Sequence, residues 1–199
     1  ILYAGAGESV EEASALRTIE ANGETYGFLA ASRVIPVTSW NVENSQPGVF
    51  TTYDKTALVH AIERAKDNCD FLTVYVHWGI ERNTMPEDYQ IELAHAYIDA
   101  GADLVLGTHP HVLQGIEKYN GKYIAYSLGN FCFGGNNNPA DKDTVIYRQT
   151  FTFVDGVMQE DDNMTLIPAT ISGHDEYNDY QPAIAEGDRK TQIENKLIE

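Results

Sequence analysis

Three apolar runs, each ending in a polar motif, constrain this chain more than anything else in it. FLTVYVHWGIE (71–81) leads to His77, AGADLVLGTHPHVLQ (100–114) leads to His109 and His111, and KYIAYSLGNFCFG (122–134) leads to Leu-Gly-Asn-Phe. Continuous rather than alternating apolar runs belong to strands covered on both faces. Polar residues delivered off the ends of such strands are how open α/β sheets build sites. Three of the six histidines fall at such ends.

The segments between the runs fit that frame. Pro86 opens a helix reaching about Ala100, with Leu93, Ala94, Tyr97 and Ile98 inward and Gly101 as its cap, so that 71–107 reads as a strand–helix–strand unit. Residues 56–68 predict another helix, with Leu58, Ala61, Ile62 and Ala65 on one face. Upstream, 1–4 reads as the tail of a strand, 5–7 as a turn, 10–22 as a helix and 24–32 as a strand after the Asn22-Gly23 turn. The segment 33–48 is loop-like, and its Trp40 either lines a pocket mouth or packs over the core edge.

After Gly115 the character changes. Asn120-Gly121 and Asp155-Gly156 predict hairpins between 116–119 and 122–127 and between 145–154 and 156–168. A last strand over 166–171 and a short helix from Asp188 to the end complete the chain. The fold class is therefore α/β, parallel first and antiparallel later, in a single domain over 1–199.

Charge narrows the function classes. Thirteen Lys and Arg against 30 Asp and Glu give −17, with no basic stripe, which excludes nucleic acid as a partner. Any anionic polymer would need a confined, cation-assisted site. Cys69 and Cys132 match neither a disulfide framework nor zinc-ligand spacing and read as free, buried thiols. No run approaches the ~18 apolar residues of a membrane span, and no signal peptide is visible. The chain begins Ile-Leu-Tyr inside a strand-like pattern, so an upstream segment of the same domain is expected.

The sharpest local chemistry is His109-Pro110-His111. Proline pushes the residue before it extended, and residues two apart in extended chain face one side, which would aim both imidazoles into one site. His77, at the end of the neighbouring strand, would join them. Three imidazoles at adjacent strand ends suit Zn, Mn or Fe. Glu81 is the nearby acid, either an outer-shell acid or base or a solvated loop charge. His60 and His95 read as surface or structural residues on helices. Gly5-Ala6-Gly7 lacks the third glycine of a dinucleotide fingerprint and the Lys-Ser/Thr of a P-loop, and no Gly-x-Ser-x-Gly elbow occurs.

HWGIE, GADLVLGTHPHVLQ and YSLGNFCFG, together with GAGESVEEA near the start and NDYQP at 178–182, resemble bacterial capsule-synthesis proteins of the CapA/PgsA, poly-γ-glutamate type. That family is placed with the calcineurin-like metallophosphoesterases. The resemblance implies the C-terminal portion of a four-layer α/β/β/α sandwich binding two divalent ions. His77 and His109 would lie on one ion and His111 on the other, and Glu81 and Asn130 match motif positions with catalytic potential. It also implies a cell-surface location through an upstream membrane anchor, other capsule-synthesis membrane proteins as partners, and an anionic capsule polymer or phosphoester as substrate. The early Asp and Asn-Asn-His motifs of that family are absent from this chain. Two functions follow: a metal-dependent hydrolase serving capsule assembly, or a non-catalytic module that binds polymer or partners on a degenerate fold. A single structural zinc at the three histidines is a third reading.

Overall fold

The computed structural model describes residues 1–44, 46–159 and 163–197. They form two compact units. The first comprises Ile1–Gly79, Glu87–Gly107 and Lys118–Ile124, and the second Ile80–Pro86, Thr108–Glu117 and Ala125–Glu199.

In the first unit the chain runs β1 (Ala6–Gly7), α1 (Val10–Ala13), β2 (Arg17–Ala21), β3 (Glu24–Ser32), β4 (Gly48–Val49), α2 (Lys55–Lys66), β5 (Phe71–His77), α3 (Asp88–Asp99) and β6 (Leu104–Thr108). β7 (Leu113–Tyr119) and β8 (Lys122–Leu128) follow, each with residues in both units. The six-stranded sheet has the order β2-β3-β5-β6-β8-β7. β3 and β5 are parallel, with Ser32 paired to His77, whereas β2 and β3 are antiparallel. The architecture is thus mixed α/β.

The expected helix over 10–22 is a single turn, Val10–Ala13, followed by a strand. Thr18 and Ile19 are β-branched, and Asn22 and Gly23, at φ +55° and +87°, close a two-residue hairpin onto β3. Asn22-Gly23 marks the turn in the sequence, but the residues before it form a strand and not the helix their spacing predicts. The strand expected over 1–4 is absent, and strand pairing begins at Ala6, opposite Val49.

Two amphipathic helices supply the core of this unit. Asp54 caps α2 by accepting the Thr56 N–H at 2.9 Å, and Glu87 with Gln90 forms a capping box on α3. Leu58 and Ile62 of α2, Leu93 and Tyr97 of α3, and Leu72, Val74 and Val76 of β5 are all buried. Each large aliphatic among them contributes about 1.5–3 kcal/mol relative to exposure. Asp103, 5 % exposed, ties the elements together. It accepts from the Leu72 N–H (2.9 Å), Lys66 Nζ (2.6 Å) and Lys122 Nζ (2.9 Å). His95 stacks on Tyr119 with ring centroids 3.8 Å apart, a structural role, and His60 is exposed. Trp40 is 51 % exposed and lines a cleft of about 350 Å³ with Ser32, Val34, Pro36, Tyr75 and His77.

The second unit contains β9 (Asp143–Gln149), β10 (Phe153–Val154), β11 (Val157–Met158), β12 (Met164–Thr170), β13 (Ala183–Ile184) and α4 (Gly187–Asn195). β9 and β12 pair antiparallel along their whole length, and β13 flanks β12. The hairpin expected between 145–154 and 156–168 is reduced to the short arms β10 and β11 at Asp155-Gly156; residues 145–149 of its first arm lie in β9, and the strand expected over 166–171 is β12, which begins at Met164. Residues 160–162 of the first expectation, and 198–199 of the expected terminal helix, lie outside the described residues. Leu113, Val145, Ala185, Ile193 and Leu197 form the core here, and buried Asp143 is ion-paired with Arg189 and Lys196, both at 2.6 Å. Both cysteines are free, but neither is buried as expected: Cys69 is half-buried, and Cys132 is exposed in the loop after β8.

Candidate metal centre

β6 ends at Thr108, and the backbone beyond it is not extended. His109 has φ +105° and His111 φ +61°. The expected extended His-Pro-His geometry is therefore replaced by two non-glycine residues in the positive-φ region, each costing about 1–3 kcal/mol. The two rings converge through this turn, with centroids 5.8 Å apart and planes at 56°. Strain of this kind persists only where the surroundings hold it, and here they do. Arg82, itself at φ +64°, donates its N–H to Pro110 O at 2.7 Å. Buried Gln114 donates Nε2 to the carbonyls of Asn83 (2.9 Å) and Met85 (3.1 Å).

Pinning the 80–86 loop in this way brings Glu81 to the histidines. One ligand atom each from Glu81, His109 and His111 lies within 4.8 Å of the others. Glu81 is exposed and the histidines are half-buried. His109 titrates below its ordinary value of 6.5, because burial disfavours the imidazolium and His111 beside it adds to the effect, while Glu81 pulls the other way. The neutral ring that results is the form that ligates a metal.

His111 is oriented from behind. Its Nδ1 lies 2.8 Å from Asn130 Oδ1. An amide oxygen only accepts, so Nδ1 carries the proton and the lone pair sits on Nε2, the arrangement typical of a metal-ligating histidine. Asn130 is set by its neighbour Gly129, at φ +72°, where an added Cβ would lie 2.6 Å from the Asp143 carbonyl. Ser127 Oγ helps fix this corner, donating to Val112 O (2.7 Å) and accepting the Gly129 N–H (3.2 Å). Phe133 packs against His111, with ring centroids 5.2 Å apart and planes at 49°. Asn178, of the NDYQP segment, holds that loop by donating Nδ2 to Phe133 O at 2.8 Å.

His77 belongs to the first unit. Its Nδ1 lies 3.1 Å from Val34 O and 3.0 Å from Ser32 Oγ, and Ser32 Oγ in turn donates to Val34 O at 2.7 Å. The carbonyl can only accept, so this histidine too carries its proton on Nδ1 and its lone pair on Nε2.

Of the sequence-derived candidates, then, Glu81, His109, His111 and Asn130 meet in the second unit, and His77 is oriented separately in the first. Sequence reasoning missed the orienting groups Ser32 and Val34 and the packing residue Phe133. The end-to-end register of β3 and β5 holds a signal for Ser32, since a parallel partner ending at the same level must stand beside His77. A carboxylate and two imidazoles are a donor set for Zn, Mn or Fe that leaves coordination positions for water or substrate.

Residues 1–135 match the family described as "Bacterial capsule synthesis protein PGA_cap". The chain is 41 % identical over 130 residues to the PGA biosynthesis protein CapA of Bacillus subtilis (strain 168), covering 65 % of this chain and 34 % of that protein. It is 38 % identical over 138 residues to the capsule biosynthesis protein CapA of Bacillus anthracis, covering 66 % and 32 %. A probable polyglutamine synthesis accessory protein of Mycobacterium tuberculosis (strain CDC 1551 / Oshkosh), MT0602, is 32 % identical over 110 residues, covering 52 % and 29 %. The chain spans about a third of the length of these curated relatives. With the family match extending over more than half of its residues, the chain belongs to the bacterial capsule synthesis protein family of the CapA type.

Proposed function

We propose that this chain carries part of a metal-dependent, phosphoesterase-like hydrolytic site in a capsule or poly-γ-glutamate biosynthesis protein. The fold in this reading is the C-terminal portion of a calcineurin-like metallophosphatase sandwich, and the place of action is the cell surface, reached through a membrane anchor elsewhere in the protein. The observation that carries the reading is the convergence of Glu81, His109 and His111, with His111 held in its ligating tautomer by Asn130.

In the second unit His109, His111 and Glu81 would hold a divalent ion, either Mn, Fe or Zn, and in the first unit His77 is a further candidate ligand. When bound, such an ion supplies Lewis acidity toward a phosphoryl or carbonyl oxygen and lowers the pKa of a bound water. The chain's own residues orient and insulate. Asn130 and the Ser32–Val34 pair fix the two imidazole tautomers, and Phe133 shields one face of His111. Glu81, exposed beside the two rings, is placed to ligate or to accept a proton. The CapA relatives are named for capsule and PGA biosynthesis; in this reading an anionic polymer or its phosphoester precursor is the substrate and other capsule-synthesis membrane proteins are the partners.

A second reading is favoured by the scarcity of carboxylates. Glu81 is the one acid grouped with the histidines among the described residues, whereas bridging two ions ~3.5–4 Å apart calls for more. A non-catalytic module binding polymer or partners would need no bridge. Hydrolysis of bis(p-nitrophenyl) phosphate by the protein with Mn²⁺ decides between them. Turnover abolished by chelation and by His111→Ala supports the hydrolase. Metal binding without turnover on any phosphoester supports the module.

A further inference from the structure

A hydrolytic site for an anionic substrate needs a cation placed for it, and in this acidic chain several basic side chains are ion-paired with carboxylates. Lys66 and Lys122 pair with Asp103, and Arg189 and Lys196 with Asp143. Arg33 is different. Among the described residues no carboxylate pairs with it, although the chain has 30 acidic residues to 13 basic ones.

We propose that Arg33 is an oxyanion-recognition residue beside His77, taking the phosphoryl or carboxylate oxygens of the substrate. Arg33 directly follows Ser32, the strand-end partner of His77, and its N–H donates to the His77 carbonyl at 2.7 Å. Its guanidinium is braced between two aromatic rings, 5.0 Å from the Tyr53 centroid and 5.6 Å from that of Tyr89. Nη1 donates to Thr52 O at 3.2 Å. Tyr89 is itself fixed, since its hydroxyl accepts the Gly79 N–H at 2.6 Å. Stacking of this kind holds a guanidinium plane still while its N–H edges remain available to a planar or tetrahedral oxyanion. Two buried polar residues lie close by. Thr52 and Tyr97 are fully buried, and their hydroxyls interact with each other. Burial raises the Tyr97 phenol above its ordinary value, while the Thr52 hydroxyl and then the Arg33 charge pull it down.

The proposal relies on the hydrolytic reading only for what the oxyanion belongs to. Inorganic phosphate and glutarate are titrated calorimetrically into the protein, with and without Mn²⁺, for wild type, Arg33→Gln and Arg33→Lys, with metal content and thermal melts measured on the same samples. Arg33→Gln is expected to weaken binding of the preferred anion by about tenfold or more at unchanged metal content, and Arg33→Lys by less, because it keeps the charge but loses the fork. Preference for phosphate or for glutarate identifies the oxyanion class. Should Arg33→Gln melt early, Tyr53→Leu, which removes one brace, is expected to weaken the anion several-fold. Equal affinity in wild type and in natively folded Arg33→Gln, or no anion binding by wild type, overturns the proposal. Arg33-dependent binding in a protein that takes up no metal supports it while refuting the metal reading.

Discussion

Replacing Asn130 with alanine isolates the one contact that sets the tautomer of His111. The amide oxygen accepts from Nδ1 at 2.8 Å, and removing it frees the ring to place its proton on either nitrogen. Loss of such an outer partner costs about 10–100-fold in metal affinity, or roughly 1.4–2.7 kcal/mol. The lower end is expected here, because Phe133 at 5.2 Å still confines the ring after the amide is gone. Asn130→Asp keeps an acceptor at the same place and adds charge, so it should bind metal at least as tightly as wild type. Competition against a chromophoric chelator for Mn²⁺ or Zn²⁺ gives both affinities. Asn130→Ala binding as tightly as wild type, with native circular dichroism, would refute the assignment of Asn130 as the orienting group.

Two further outcomes follow from the geometry. Asp103→Ala removes a buried acceptor of three hydrogen bonds, two of them from lysines; because both lysines are partly exposed and can rehydrate, the loss should be about 3 kcal/mol, at the low end for a broken buried pair, read as a lower urea midpoint at unchanged slope. His109 titrates below 6.5 in the folded protein, so the unfolded chain binds the extra proton first; its contribution to stability should be complete above about pH 6.5 and disappear as pH falls through its lowered folded value, and His109→Asn should flatten that part of the stability profile.

Much of the fold was legible because its strands and helices announce themselves by period. Residues 71–77 are continuously apolar, and the α2 and α3 faces repeat at helical spacing, so those elements lie within a residue or two of where periodicity puts them. Failure came where a turn decides the structure. Residues 17–21 carry too few apolar positions to show a period, and only their pairing across Asn22-Gly23 makes them a strand. The site divides in the same way. Residue types gave the histidines, Glu81 and Asn130 as candidates. Their approach depends on the positive φ of His109 and His111 and on the Arg82–Pro110 and Gln114 hydrogen bonds, which no local pattern encodes. The extended-chain rule for a residue before proline pointed the right side chains at each other for the wrong reason, because tertiary contacts overrode the local preference. Arg33 was invisible for a related cause: its two aromatic braces lie 20 and 56 residues away in the chain.

Metal content by elemental analysis tests the central claim most directly, on the wild-type chain and on His109→Ala after equilibration with Mn²⁺, Fe²⁺ or Zn²⁺ and removal of excess ion. Roughly one ion per chain at the Glu81–His109–His111 cluster, lost in the variant while the fold is retained, is the result the account predicts. No retained metal in the wild-type chain, or the same content in His109→Ala, would contradict it.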